Sequence, residues 1–131
     1  MFASKILVVE NENLLTLNIK NSLQKLRYNV REILDYGEEA IKKVADTHPH
    51  LVLIDICLSG KINGIQVADI VQKIFQIPVL YLTEYSEYIK LHEKPFSEPF
   101  SYIFKPFAET DLHIAVEMAL YKHQSNKKLQ E

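Results

Sequence analysis

Residues 51–56 read Leu-Val-Leu-Ile-Asp-Ile, four apolar side chains in succession and then a carboxylate. An unbroken apolar run of this length, preceded by the turn-forming His48-Pro49-His50, fits a strand covered on both faces, as in a parallel sheet. Working outward, similar runs occur at residues 5–9, 78–82 and 101–104. A weaker fifth lies around residues 29–34, where Val30, Ile33 and Leu34 do not alternate cleanly. Helical spacings separate these runs. Asn13 is placed to cap a helix whose apolar face carries Leu15, Ile19, Leu23 and Leu26. A second helix, Gly37–Thr47, is expected to bury Ala40, Ile41, Val44 and Ala45. The third follows Asn63-Gly64 with Val67, Ile70, Val71 and Ile74, and the last runs from about 109 to 123 with Leu112, Ala115, Val116, Ala119 and Leu120 inward. Pro95 and Pro99 cut the stretch 84–100, which leaves room for a short helix around 86–92. Strand and helix alternating in this way predict an α/β fold: a five-stranded parallel sheet, doubly wound.

Composition narrows the function classes. The 131 residues suit one domain with a real core, and 47% apolar against 24% charged is the balance of a globular chain. Fifteen Lys plus Arg against 17 Asp plus Glu leaves a net charge of −2, so no cationic excess awaits nucleic-acid phosphates. The single cysteine, Cys57, excludes an intramolecular disulfide and suits a reducing cytoplasm. No apolar run approaches the ~18 residues of a membrane span. With glycine only at Gly37, Gly60 and Gly64, a glycine-rich phosphate loop is all but excluded.

In open parallel sheets, ligands bind beyond the carboxyl ends of the strands. Here the first strand ends in Glu10-Asn11-Glu12, the third in Asp55, the fourth in Thr83 and the fifth in Lys105. Acids, a hydroxyl and an ammonium therefore converge on one crevice. Crowded carboxylates repel unless a cation intervenes, and a hard divalent ion with oxygen ligands, Mg²⁺, relieves that repulsion. Asp55 then stays ionised and nucleophilic, one route to a phosphoaspartate. Thr83 and Lys105 offer a donor and a positive charge to phosphoryl oxygens, and phosphoryl transfer needs little else. Each of these residues alone fits a plain structural role; their placement at successive strand ends argues for a site.

The ordered set resembles the receiver domain of two-component response regulators, a flavodoxin-like fold. The resemblance rests on the acids after the first strand, Leu53-Ile54-Asp55-Ile56, Thr83, and Tyr102-Ile103-Phe104-Lys105-Pro106-Phe107, and it spans about residues 5–122. It implies that Asp55 accepts a phosphoryl group from a histidine kinase or phosphotransfer protein. Glu10 would bind Mg²⁺ through a water, Asn11 and Asp55 directly, and Cys57 through its backbone carbonyl. Thr83 would bind a phosphoryl oxygen and Lys105 would pair with it. Tyr102 takes the aromatic switch position, although Tyr102 and Phe104 share a strand face and one of them is expected in the core on packing grounds alone. The resemblance further implies a cis Lys105–Pro106 peptide, no enzymatic activity beyond the domain's own phosphorylation and dephosphorylation, and a partner or homodimer surface on the last two helices and the strand between them.

Two positions depart from the family's pattern. Asn11 stands where an Asp usually binds the metal, and an amide oxygen brings no charge, so weaker Mg²⁺ binding and slower phosphorylation are expected. Glu84 follows Thr83 where a small residue is usual, and is expected to point to solvent. The alternative is a degenerate receiver that dimerises or docks without phosphorylation. Asp-based phosphohydrolases commonly carry a second Asp two residues on, where this chain has Cys57; a flavin phosphate would meet the acidic Glu10-Asn11-Glu12. His48-Pro49-His50 reads as a turn, Cys57 as a passive loop thiol, and Lys122, His123, Lys127 and Lys128 as a solvated helix end. The receiver pattern is expected to occupy residues 1–122, with 123–131 a polar tail or shortened linker from a larger protein.

Overall fold

The computed structural model describes residues 4–10, 12–30, 33–34, 37–56, 64–84 and 101–130. Strands β1 (Ile6–Val9), β2 (Ile33–Leu34), β3 (Leu51–Asp55), β4 (Val79–Thr83) and β5 (Ser101–Phe104) form one parallel sheet in the order β2-β1-β3-β4-β5. Helices α1 (Asn13–Lys25), α2 (Gly37–Thr47), α3 (Gly64–Lys73) and α4 (Glu109–Gln130) cover it. Every residue of β1, β3 and β4 is buried, which is why these strands read as continuous apolar runs rather than alternating ones. Successive side chains point to opposite faces. Leu7, Val9, Val52, Ile54, Val79 and Tyr81 pack against α2 and α3, while Ile6, Val8, Leu51, Leu53, Leu80 and Leu82 pack against α1 and α4. The predicted doubly wound sheet is the observed one.

The strand register aligns the functional ends. Val9 pairs with Ile54, Asp55 with Leu82 and Thr83 with Phe104, so the carboxyl termini of β1, β3, β4 and β5 finish at one edge. Gly64 fixes α3 against that edge. Its N–H donates to the Ile56 carbonyl at 3.2 Å, and a Cβ at this position would lie 2.1 Å from the Asp55 carbonyl oxygen. The Asn63-Gly64 pair, readable only as a turn signal, thus includes a residue that only glycine can supply.

Several local expectations are corrected. Asn13 is the first helical residue of α1; Glu12 holds the cap position, with no side-chain capping bond. Ala45 is exposed although Val44 beside it is fully buried, so it lies off the sheet-facing stripe of α2, and Ile74 lies past the end of α3 at 69% exposure. Among the described residues the fifth run contributes Ile33–Leu34, with Asn29 forming an isolated bridge to Lys5. Helix α4 continues past residue 123 to Gln130, so the polar segment taken as a tail is largely a continuation of the helix. The expected helix around 86–92 lies outside the described residues.

With glycine so scarce, three helices are followed by non-glycine residues of positive φ: Arg27, His48 and Gln76 at 69°, 46° and 56°. After α1 the chain reverses with Arg27 N–H donating to the Gln24 carbonyl and Tyr28 N–H to that of Leu23, each at 3.0 Å. The Tyr28 hydroxyl then donates to Glu117 on α4, tying the two helices of one face together. His48-Pro49-His50 is a turn, as read: His50 Nδ1 accepts the Lys5 N–H at 2.8 Å.

Candidate functional site

Glu10, Asp55 and Lys105 are brought together at the carboxyl edge. Glu10 follows β1 and is fully buried; Asp55 closes β3 and is 7% exposed. The Lys105 Nζ, just beyond β5, lies 2.9 Å from Glu10 Oε2 and 2.9 Å from Asp55 Oδ2. The lysine backbone is itself anchored, its N–H donating to the Thr83 carbonyl at 2.9 Å. Three strands thus contribute one ammonium and two carboxylates to a small, mostly desolvated volume.

Electrostatics follow from that crowding. Burial pushes the Glu10 carboxyl up to about 7 from its ordinary 4.5; the neighbouring Asp55 adds to the rise and Lys105 opposes it. Burial alone would lower the Lys105 pKa, but Asp55 and Glu10 outweigh it and hold the ammonium charged. The Glu12 N–H also donates to Glu10 Oε1 at 3.2 Å, fixing the carboxylate's orientation.

Thr83 ends β4 and is buried, its hydroxyl donating to the Glu84 carbonyl at 3.0 Å. Glu84 itself is exposed, in line with the expectation that it faces solvent. Tyr102 is half-buried and lies beside Tyr81, its register partner on β4, with ring centroids 5.7 Å apart. Neither Tyr102 nor Phe104 is fully in the core. Ile103 of that strand is buried, and Phe104 is 40% exposed. Asn11 and Cys57 lie outside the described residues. Lys105–Pro106 is a cis peptide, as the resemblance implied.

The donor set suits a hard cation: Glu10 and Asp55 present carboxylate oxygens at one edge, and oxygen is what Mg²⁺ takes. Two residues that sequence reasoning missed also shape the site. Gly64 presses the start of α3 onto the Asp55 backbone, and Tyr81 lies two residues before Thr83 on the same face of β4. Glycine scarcity is a faint signal for the first. The second reads only as a strand residue.

The response regulator receiver domain family matches residues 6–117. The phyllosphere-induced regulator PhyR of Methylorubrum extorquens is 30% identical over 127 residues, covering 96% of this chain and 47% of PhyR. Among solved structures, the signal receiver domain of a modulated diguanylate cyclase from Desulfovibrio desulfuricans superposes with a TM-score of 0.84 at 29% identity, covering 99% of this chain and 100% of that one. The anti-anti-sigma factor PhyR from Bartonella quintana superposes with a TM-score of 0.83 at 25% identity, covering 100% of this chain and 53% of that one. The chain spans about half the length of the curated relatives it matches. Among the described residues, no helix is long and apolar enough to cross a membrane.

Proposed function

Because the chain belongs to the response regulator receiver domain family, we propose that it works in the cytoplasm as a phosphorylation switch, with Asp55 as the acceptor. A histidine kinase or phosphotransfer protein supplies the phosphoryl group. The observation that carries this reading is the Lys105 ammonium held 2.9 Å from Asp55 Oδ2 at the buried strand edge. An Asp55 oxygen attacks phosphorus, the bond from phosphorus to the donor imidazole breaks, and the histidine leaves with the electron pair. Lys105 neutralises charge on the transferred group. Thr83 exchanges its bond to the Glu84 carbonyl for one to a phosphoryl oxygen, and Tyr102 turns as Thr83 moves.

Glu10, Asn11, Asp55 and the Cys57 carbonyl are the groups that would hold Mg²⁺. When bound, the ion neutralises phosphoryl charge. The amide at Asn11 withholds one negative charge from that set, so Asn11→Asp is expected to tighten Mg²⁺ binding, measured by titration.

The readout is assigned to β5, α4 and the segment of the chain between β4 and β5, by homodimerisation or by docking of a partner. Phe104, Ile114, Met118 and Tyr121 are exposed apolar residues there, and a groove of about 450 Å³ runs between β5 and α4. Likeness to the anti-anti-sigma factor PhyR favours, as a second reading of the output, a partner from the sigma-factor control system.

The test is incubation with acetyl phosphate and Mg²⁺ followed by intact mass. A gain of one phosphoryl group in the wild type, absent in Asp55→Asn, supports the switch. No gain overturns it in favour of a docking module that works without phosphorylation.

A further inference from the structure

The face of the sheet beneath α3 holds polar atoms that the proposed chemistry does not use. Tyr81 is fully buried, and among the described residues its hydroxyl has no hydrogen-bond partner. Asp69 Oδ1 and Gln72 Nε2, three residues apart on α3 and so on one helix face, are likewise buried with no partner among the described residues. A strand donor, a helix acceptor and a helix donor are thus present together and unmatched. Buried polar groups are nearly always paired, so such a set marks a place where a second arrangement is available.

The three groups are not independent of the site. Tyr81 pairs in register with Tyr102, and their rings lie 5.7 Å apart at 54°. Strand alternation puts Tyr81 on the same face as Thr83, two residues on. Burial, and after it the charge of Asp69 and then Tyr102, push the Tyr81 hydroxyl's pKa upward. A displacement of the Tyr102 ring therefore cannot leave Tyr81 untouched.

We propose that Tyr81 is a positioning residue that carries movement of Tyr102 to α3, its hydroxyl taking Asp69 as acceptor in the second arrangement. The inference rests on the switch reading above and extends it, because it makes α3 part of the responding structure. Asp69→Asn keeps the shape of the acceptor and removes its charge; Tyr81→Phe keeps the ring and removes the donor.

The experiment is a nitrogen-15 NMR comparison of the full chain, reading the Asp69 backbone amide and the Gln72 side-chain amide. Tyr102→Leu, with Tyr102→Phe as the milder variant, is expected to shift both signals in the wild-type background. In the Tyr81→Phe background those shifts are expected to vanish, and in Asp69→Asn the Gln72 shift is expected to shrink. Equal shifts with and without the Tyr81 hydroxyl overturn the proposal, as does an α3 that ignores Tyr102 altogether. A second arm adds acetyl phosphate and Mg²⁺. Phosphoryl uptake should move the same α3 signals in the wild type and leave them still in Tyr81→Phe, while the Lys105 amide shifts in both. Failure of uptake counts against the switch reading alone, since the Tyr102 arm decides the coupling without it.

Discussion

The two faces of the sheet bury comparable sets of strand residues but differ in chemistry. Toward α1 and α4 the buried apolar cluster is aliphatic (Ile19, Leu23, Leu51, Leu53, Leu80, Leu82, Ile103, Leu112 and Val116), and the hydroxyl of Tyr28 packed beside it is already bonded to Glu117. Toward α2 and α3 the aliphatic residues are joined by Tyr81, with Tyr102 packed against them and polar atoms of Asp69 and Gln72 buried nearby. Hydrocarbon contacts are non-directional and lose free energy when opened. A face with a hydroxyl unmatched among the described residues, that of Tyr81, can take up a hydrogen-bond partner at small net cost. The first face suits holding the domain together, and the second is where the proposed switch at Asp55 would be read.

Substitutions can break or sharpen that contrast. On the hydrocarbon face, Leu53→Ala is expected to cost about 2–5 kcal/mol by lost burial and the cavity left behind, measured by urea unfolding. A loss below about 1 kcal/mol would mean that this face is less tightly packed than described. At the start of α3, Gly64→Ala forces a Cβ against the Asp55 carbonyl and is expected to cost about 1–3 kcal/mol. It should also reduce phosphoryl uptake by shifting Asp55, and unchanged uptake with unchanged stability would remove Gly64 from the site.

Glu10 stands at the boundary between the faces, and its effect is smaller and depends on pH. Burial, reinforced by Asp55 and opposed by Lys105, raises its folded pKa from 4.5 to about 7. The folded chain therefore holds the proton more tightly than the unfolded one. Stability from this group is fully present below the ordinary value and is lost as pH rises through about 7. Without added divalent ions, Glu10→Gln should flatten that decline by on the order of 1–2 kcal/mol. A wild type whose unfolding midpoint rises over the same interval contradicts the assignment. The smallest effect is expected at Tyr81→Phe. Removing an unmatched hydroxyl should leave stability within about 0.5 kcal/mol of the wild type, or above it. A cost as large as that of Leu53→Ala would erase the distinction between the faces.

The strands were legible because a strand buried on both sides has no choice but to be apolar throughout, as at Leu51–Asp55. Their carboxyl ends then exposed Glu10, Asp55, Thr83 and Lys105 as a set, and the structure brings Glu10, Asp55 and Lys105 within bonding distance. What could not be read depends on contacts distant in sequence. Ala45 and Ile74 satisfy helical spacing, but only the fold decides how wide the buried stripe is and where the helix stops. In the edge strand, Val30, Ile33 and Leu34 do not alternate cleanly, so its period is weak in the sequence. Nothing in the string around Tyr81 announces that its ring adjoins Tyr102 or that Asp69 lies close by.

The account depends most on the identity of the acceptor. Phosphorylation with acetyl phosphate, borohydride reduction of the acyl phosphate and peptide mass mapping locate it directly. The prediction is conversion of Asp55 alone to homoserine, with no conversion in Asp55→Asn. Homoserine at another carboxylate, or none at all despite saturating donor and Mg²⁺, contradicts the account.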